Sequence, residues 1–216
     1  MNKLKFFLLL GVFVIFSWGC SRKKSSYFPD GKLSAVITTK NGKKNGNAIY
    51  YHRNGFKQME INYSNGFEDG LMIKWYYGGT IESEVFYTMG LRQGEAKGYD
   101  KNGNCIVISN FENDTLHGRY QEFYRDGTPK VSGHYARGLF DGKWAYFQEQ
   151  GYPIGEGNFL KGSGIQKSWY PNGKIQREIP YVKGQKHGLE KHYSPGGILE
   201  KELTFDHGNL VSTHVL

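Results

Sequence analysis

Cysteine is scarce in this sequence: its 216 residues include two cysteines, Cys20 and Cys105. Apolar residues are also few, at 38%, which argues against a thick globular core. Disorder is equally disfavoured, because disordered chains are depleted in aromatic residues and this chain contains 16%. Its 30 glycines favour many short strands joined by glycine turns, and we expect an all-β fold.

Long apolar runs are absent except near the N-terminus, where Phe6 to Trp18 form a run of 13 residues. This run is too short to span a bilayer comfortably but has the length of a signal-peptide core, and Lys3 and Lys5 precede it. The sequence "SWGC" then ends at Cys20. It resembles the lipobox of bacterial lipoproteins, and this resemblance implies cleavage before Cys20 and acylation of its thiol.

The predicted domains are a signal peptide over residues 1–19, a solvated tether over 20–26 and a repeat domain over 27–216. An ordinary signal peptide or a short uncleaved anchor remains an alternative. The lipoprotein resemblance implies export to a bacterial cell envelope, with the membrane contacted through the lipid. Ser21 after Cys20 indicates the outer membrane if the host is Gram-negative. Cys105 would then be the only free cysteine, so no disulfide could form within the mature chain.

A strong excess of one charge is also missing. The formal charge of +8 falls to +6 once Lys3 and Lys5 are removed with residues 1–19, and the remaining charges are scattered. Proteins that read nucleic acid concentrate positive charge in one stripe or module. We therefore expect no nucleic-acid partner.

Glycine recurs with a regular period. Consecutive turn glycines are 24 residues apart except for one step of 22, between the sixth and seventh of them. They are Gly31, Gly55, Gly79, Gly103, Gly127, Gly151, Gly173 and Gly197. An aromatic residue stands four positions before every one of them, and another stands eight positions after all but the first. Agreement of this kind predicts tandem structural repeats.

Two further glycines mark the repeats, with Asp114 replacing the earlier of the two once. A second glycine, such as Gly66, comes eleven residues after the turn glycine, and a third, such as Gly70, opens the next unit. The turn dipeptides include Asn54-Gly55 and Asp126-Gly127, whose residues tolerate the positive φ of tight hairpin turns. The second strand, as in "ILEKELTF", alternates apolar and polar residues. The sequence predicts about eight tandem hairpins in an elongated antiparallel meander.

The stretch "YVKGQKHGLEKHY" (181–193) resembles a MORN repeat, with its Tyr and His-Gly elements. The "YYxNG" hairpins are similar to those of exported bacterial proteins with 24-residue repeats and of YwqK-type proteins described as antitoxins. The resemblance covers about residues 27–210. It implies an elongated sheet used for binding or scaffolding, with no catalytic role of its own.

The histidines of this stretch raise the question of a metal site. His187 occupies the same repeat position as His117, and three hairpins separate the two by about 30 Å, which is too far to share a zinc ion. A zinc site formed by His187, His192 and Glu190 is an alternative that would need converging side chains. We interpret these histidines as turn and surface residues and expect no metal and no cofactor.

The sequence gives little support for a nucleophilic cysteine or a phosphate-binding loop. Cys105 falls two residues after a turn glycine, where other units carry Leu or Ile, and we expect it to be a small buried hydrophobe. The segment "GEGNFLKGSG" lacks the Gly-Lys-Ser/Thr of a phosphate-binding loop. The sequence therefore predicts a protein that is not an enzyme.

The recurring aromatic residues are expected to form the core. Trp75 and Trp169 should pack against the second-strand aromatics Tyr87 and Tyr181. First-strand positions that point to the opposite face define a candidate binding face, an aromatic-rich surface for a protein, glycan or lipid headgroup. It consists of Tyr76, Tyr120, Tyr124, Trp144, Tyr146 and Tyr170. Aromatic stacking on both faces for stability alone is the alternative.

The sequence thus favours an envelope-anchored repeat protein that binds or scaffolds a protein or another envelope component. An antitoxin or immunity protein that neutralises a toxin by direct binding is the alternative.

Overall fold

The structure, a computed structural model, describes residues 20–216. The predicted signal peptide, residues 1–19, lies outside the described residues. Within 20–216 the chain is all-β, and this part contains no helix that is long and apolar enough to cross a membrane. The strands are β1 Arg22–Tyr27, β2 Leu33–Lys40, β3 Lys43–Tyr51, β4 Lys57–Ser64, β5 Phe67–Glu68, β6 Gly70–Trp75, β7 Ile81–Thr88, β8 Leu91–Tyr99, β9 Cys105–Glu112, β10 Thr115–Leu116, β11 Gly118–Phe123, β12 Pro129–Ala136, β13 Leu139–Phe147, β14 Pro153–Leu160, β15 Ser163–Trp169, β16 Ile175–Val182, β17 Gln185–Lys186, β18 Gly188–Tyr193, β19 Leu199–Asp206 and β20 Asn209–Val215.

All strands belong to one open antiparallel sheet of simple topology. Each long strand pairs with the long strand that follows it in the chain. The short strands β5, β10 and β17 precede β6, β11 and β18 and pair with the same partners, β4, β9 and β16. The predicted all-β meander is confirmed. Because neighbouring strands are about 4.8 Å apart, each hairpin advances the sheet by about 10 Å.

The segment expected to be a tether differs from the prediction. From Arg22 onward it forms β1, and Arg22 to Ser26 lie opposite Thr39 to Ala35 of β2. All six residues of β1 are nonetheless exposed, because no other part of the described chain covers this first strand on either face. Backbone pairing therefore incorporates the polar segment into the sheet without giving it a core.

The turns that contain Asn54-Gly55 and Asp126-Gly127 are three-residue loops. His52 N–H donates to Phe56 O and Gly55 N–H donates to His52 O, which is a type I turn closed by a left-handed glycine. Gly55 has φ +90°, whereas Asn54 is not among the residues with positive φ. Asn54 Oδ1 instead accepts the N–H of Phe56. The prediction of positive φ in these turns is therefore correct only for the glycine.

Tight two-residue turns lie at the other ends of the strands. Both central residues have positive φ, for example Asn41 at 50° and Gly42 at 79°, as type I′ turns require. The same turn recurs at each second glycine, and Asn113-Asp114 form it without glycine at φ 49° and 65°. One edge of the array thus carries three-residue turns, and the other carries type I′ turns.

All the buried hydrophobic residues lie on one face of the sheet, which we call the inner face. Examples are Ile61, Met72 and Ile179, at 1%, 8% and 3% exposed. The second-strand aromatics share this face, and all seven lie directly across the ladder from a third glycine, as in Gly70–Tyr87 and Gly164–Tyr181. The pairs are Gly46–Tyr63, Gly70–Tyr87, Gly94–Phe111, Gly118–Tyr135, Gly142–Phe159, Gly164–Tyr181 and Gly188–Phe205. All of these glycines except Gly164 have positive φ, a backbone conformation that favours glycine.

The expected packing of Trp75 on Tyr87, and of Trp169 on Tyr181, is wrong. Tyr87 lies opposite Gly70, whereas Trp75 lies opposite Ile81 at the far end of the same strand. Five residues of strand separate the two positions by about 17 Å. Trp75 also follows Met72 by three residues, so alternation directs its side chain to the other face, which we call the outer face.

Candidate binding surface

The six residues of the predicted binding face lie on the inner face or at its turn edge, and they do not form a free surface. Trp144 is 3% exposed, and its ring lies 4.8 Å from Phe140 and 4.9 Å from Tyr135 between centroids. Tyr120 stacks 5.4 Å from Tyr135 in the same cluster. Burial raises the pKa of Tyr146 to about 12, consistent with a phenol withdrawn from water. These three aromatics stabilise the core.

The other three tyrosines join consecutive repeats. The hydroxyl of Tyr76 donates to Tyr99 O at 2.8 Å, that of Tyr124 to Phe147 O at 2.9 Å and that of Tyr170 to Tyr193 O at 2.8 Å. Each acceptor is 23 residues further along the chain. The prediction of one exposed binding face is therefore corrected. In this single-layer sheet, the aromatic side chains of the inner face pack on one another and are withdrawn from solvent.

The outer face carries the first-strand aromatics. Tyr27, in β1, is 64% exposed, and the other seven are half-buried. These seven are Tyr51, Trp75, Tyr99, Phe123, Phe147, Trp169 and Tyr193. Each lies near a three-residue turn, across the ladder from the first residues of the second strand, as Trp169 lies across from Ile175. Cys105, opposite Tyr99, is half-buried in this row, so it is less enclosed than expected. The sheet therefore has an apolar strip on each face, with the outer strip close to one turn edge.

Two grooves occupy equivalent positions beside this outer strip. The larger, of about 750 Å³, lies between two successive turns and is lined by Trp169, Glu156, Pro153 and Pro171. The smaller, of about 340 Å³, has Phe123, Ile108, Cys105 and Arg125 at the same repeat positions.

Tyr152 and Tyr170 also border the larger groove, and Tyr152 is 67% exposed. Apolar walls with a few polar groups are typical of binding sites. Sequence reasoning missed these grooves, because it assigned Trp169 and Phe123 to the core; only Tyr170 of the groove aromatics was part of the predicted binding face.

Ionisable side chains run along the middle of the outer face. In the C-terminal units, Glu156, Lys167, Glu178, Lys191 and Glu202 lie opposite one another in turn, which alternates the charge across the ladder. Lys167 Nζ lies 3.2 Å from Glu178 Oε1. Opposite charges on directly paired strands are favourable.

Tyrosines among the first-strand aromatics also donate hydrogen bonds to carboxylates of this charged row. Tyr99 donates a hydrogen bond to Glu84 at 2.6 Å, and burial together with this carboxylate raises the pKa of Tyr99 to about 12. Tyr193 bonds Glu178 in the same way at 2.9 Å. The outer strip is therefore bordered by a charged row that cancels most of its own charge.

The His-Gly element has a structural role. His187 Nδ1 lies 3.4 Å from the N–H of His207, in the type I′ turn of the next hairpin, and His117 Nδ1 lies 3.4 Å from the N–H of Arg137. Other units place an acceptor of different chemistry at this position, such as Asp141, whose Oδ1 accepts the N–H of Lys161 at 3.0 Å. The interpretation of these histidines as turn residues agrees with this geometry.

Glu190 and His192 lie apart from His187, on the inner face. Glu190 is 2% exposed and accepts hydrogen bonds from Lys186 Nζ and His192 Nε2, both at 2.7 Å. Arg177 Nε is 4.0 Å away. Burial raises the pKa of Glu190, but the bonds from Lys186 and His192 outweigh burial and hold it below the ordinary value. Glu190 replaces an apolar residue of the core, and its charge is compensated in place.

Comparison with known families supports the repeat assignment. Four segments match the MORN repeat variant: residues 92–113, 116–136, 163–183 and 186–207. Each segment holds a first strand, a three-residue turn and a second strand, as β11 and β12 do in the second. Repeats of this kind are generally associated with binding and scaffolding and are themselves non-catalytic. A search of curated proteins finds no match to the chain.

Proposed function

We propose that this chain is a non-catalytic, envelope-anchored repeat protein that binds or scaffolds a partner through the outer face of its elongated sheet. The observation that carries the proposal is the pair of grooves at equivalent repeat positions, beside a row of half-buried aromatics. The MORN-type segments support a binding role, because this family lacks catalytic function of its own. The whole described chain contributes to the array, which supports a binding function carried by the sheet itself.

The larger groove is the proposed centre of contact. It combines an indole, two prolines and the ring of Tyr152 with one carboxylate, Glu156. Aromatic side chains with a polar tip are enriched at protein interfaces, where they supply contact area at low cost in conformational entropy. This chemistry favours a protein partner among the envelope components.

Anchoring rests on Cys20. It is exposed and stands two residues before β1. A lipid on its thiol would hold the first strand near the membrane surface and let the sheet extend away from it. The polar strand β1, with Arg22, Lys23 and Lys24, would then lie closest to the lipid headgroups.

The test is an affinity capture from envelope extract with the full-length chain and two variants. Tyr152→Ser removes an exposed groove ring with little expected effect on stability. Ile198→Ser is the matched control, because Ile198 occupies the same position after the turn glycine, is 70% exposed and does not line the groove. We expect a protein that is retained by the unchanged chain and the control but is lost with Tyr152→Ser.

Equal retention by all three chains would contradict the proposed groove. If the retained protein were toxic when produced alone and encoded beside this chain, the function would be that of an antitoxin.

A further inference from the structure

The type I′ turn that joins β19 to β20 brings together three side chains with metal-ligating chemistry. His187, Asp206 and His207 each offer one ligand atom, and these atoms all lie within 4.8 Å of one another. His207 Nδ1 is 2.7 Å from Asp206 Oδ1, and His187 Nδ1 is 3.3 Å from the same oxygen. The spacing of His187, His192 and Glu190 in the sequence directed attention to a different trio, which the fold separates.

These separations match the geometry of one coordination sphere. With metal–ligand bonds of about 2.1 Å, two ligands of the same ion lie about 3.0 Å apart in an octahedron and about 3.4 Å apart in a tetrahedron. The His187–Asp206 distance of 3.3 Å lies within that range, and the His207–Asp206 distance of 2.7 Å is slightly below it. One ion could therefore contact all three side chains after small side-chain rotations.

The hydrogen bond to the Nδ1 atom of His187 is long. The contact of this atom with the backbone N–H of His207 is 3.4 Å, beyond the usual length of such bonds. If Nδ1 is unprotonated, its lone pair also faces the Asp206 carboxylate, which has no proton to donate. A cation between the two would satisfy both.

We propose that His187, Asp206 and His207 form a binding site for a divalent transition ion, with Zn²⁺ as the best fit. Two imidazoles and one carboxylate suit zinc, whereas Ca²⁺ and Mg²⁺ prefer oxygen ligands alone. Three protein ligands leave at least one position for water or for a group from another molecule. The side chains are 40%, 62% and 71% exposed, so ions can reach the site directly.

The chain provides its own control. His117 occupies the repeat position of His187, with the same 3.4 Å contact to a turn N–H and a carboxylate, Glu112, at 3.5 Å. Arg137 stands there in place of His207 and cannot ligate a metal. Within residues 20–216, only the C-terminal turn has the complete set.

The test is a titration of the full-length chain, free of any histidine tag, with Co²⁺ followed by displacement with Zn²⁺. We expect visible Co²⁺ absorption bands that saturate at one equivalent and disappear as Zn²⁺ is added. Asp206→Asn and His207→Ala should each weaken binding at least as much as loss of an outer-shell partner does, about tenfold or more. His117→Ala and His192→Ala should leave the affinity unchanged. Both ligand variants alter an exposed turn, and circular dichroism would check that the sheet is intact.

Several results would overturn the proposal. Absence of saturable Co²⁺ binding would do so directly. Binding that survives both Asp206→Asn and His207→Ala would place the ion elsewhere. An equal loss with His192→Ala would point to the Glu190 cluster, and an equal loss with His117→Ala would indicate nonspecific binding to turn histidines.

Discussion

The hydroxyl of Tyr170 donates a hydrogen bond to the backbone carbonyl of Tyr193, 2.8 Å away in the next hairpin. Tyr76 and Tyr124 repeat this contact, and His52 Nε2 makes the equivalent contact with Trp75 O at 3.0 Å. In addition, Asn172 Nδ2 donates to Pro195 O at 2.8 Å. Side-chain hydrogen bonds thus connect neighbouring three-residue turns, in addition to the backbone ladder.

Tyr124→Phe should remove one of these contacts and little else. A neutral hydrogen bond of this kind contributes about 0.5–1.5 kcal/mol, so we expect the free energy of unfolding to fall by that amount. Denaturant unfolding measures it, and hydrogen exchange should locate the loss near Phe147. Tyr152→Phe, at a tyrosine that is 67% exposed, is the control. If both variants behaved alike, the hydroxyl of Tyr124 would have no structural role.

Trp144→Ala should be far more damaging than Trp75→Ala. Trp144 is 3% exposed and packs on three aromatic rings, so its truncation should cost about 3–5 kcal/mol. Trp75 is half-buried on the outer face, so its truncation to Ala should lower the free energy of unfolding by less. In a linear array, hydrogen exchange should show the loss mainly in the hairpins next to Trp144. Uniform loss of protection along the chain would instead indicate one cooperative unit.

The repeat architecture was readable because its physical causes are local. A left-handed backbone position selects glycine, and a half-buried strand alternates, so glycine spacing and alternation both mark hairpins. The turn type was harder to predict. Asn41-Gly42 has the expected composition for a type I′ turn, but Lys161 and Lys183 also adopt positive φ there, at 49° and 50°. Their conformation is imposed by the strands that they connect.

Which of the two faces is the inner one could not be predicted from alternation, because alternation determines only which residues of a strand share a face. Both faces carry an aromatic row, and the sequence reasoning chose the wrong one for Trp75 and for Trp144. One signal could have decided it: the second-strand aromatics pair with the third glycine, as Tyr87 does with Gly70. The cluster at His207 was missed because its members come from two hairpins.

Glu190 should make stability depend on pH in acid. Its pKa in the folded chain lies below the ordinary value of 4.5, so its contribution is complete above about that pH and is lost as the pH falls through the folded value. Glu190→Gln should therefore lower the free energy of unfolding at pH 7, by about 1–3 kcal/mol for a poorly satisfied buried group. The difference from the unchanged chain should shrink toward pH 3.

The control for this prediction is Glu149→Gln, at an exposed turn position. Urea unfolding at both pH values would compare the variants. A deficit of Glu190→Gln that stays the same at the two pH values would mean that packing, and not the charge of the carboxylate, sets the effect.

Cys20→Ala should abolish fatty-acid labelling and release the protein from the membrane fraction. The physical reason is that the thiol is the only proposed site of lipid attachment and one or two acyl chains dominate the affinity for a bilayer. Metabolic labelling and fractionation measure the two effects. Cys105→Ala is the matched control, because that thiol is half-buried in the sheet. Labelling that persists in Cys20→Ala would contradict the lipoprotein prediction.

Gly133→Ala should test how closely the indole of Trp144 packs on the backbone. A methyl group at position 133 would overlap with the indole atoms Cδ2, Cε2 and Cε3, and Gly133 has no positive φ that would add backbone strain. Overpacking of this kind costs about 1–3 kcal/mol.

Gly78→Ala is the control for this substitution, since its added methyl group would meet nothing within 4 Å and its φ is also not positive. Combining Gly133→Ala with Trp144→Leu should recover part of the loss, because the smaller side chain leaves room for the methyl group and neighbouring sites are not additive. Strictly additive losses in denaturant unfolding would show that the indole does not rest on Gly133.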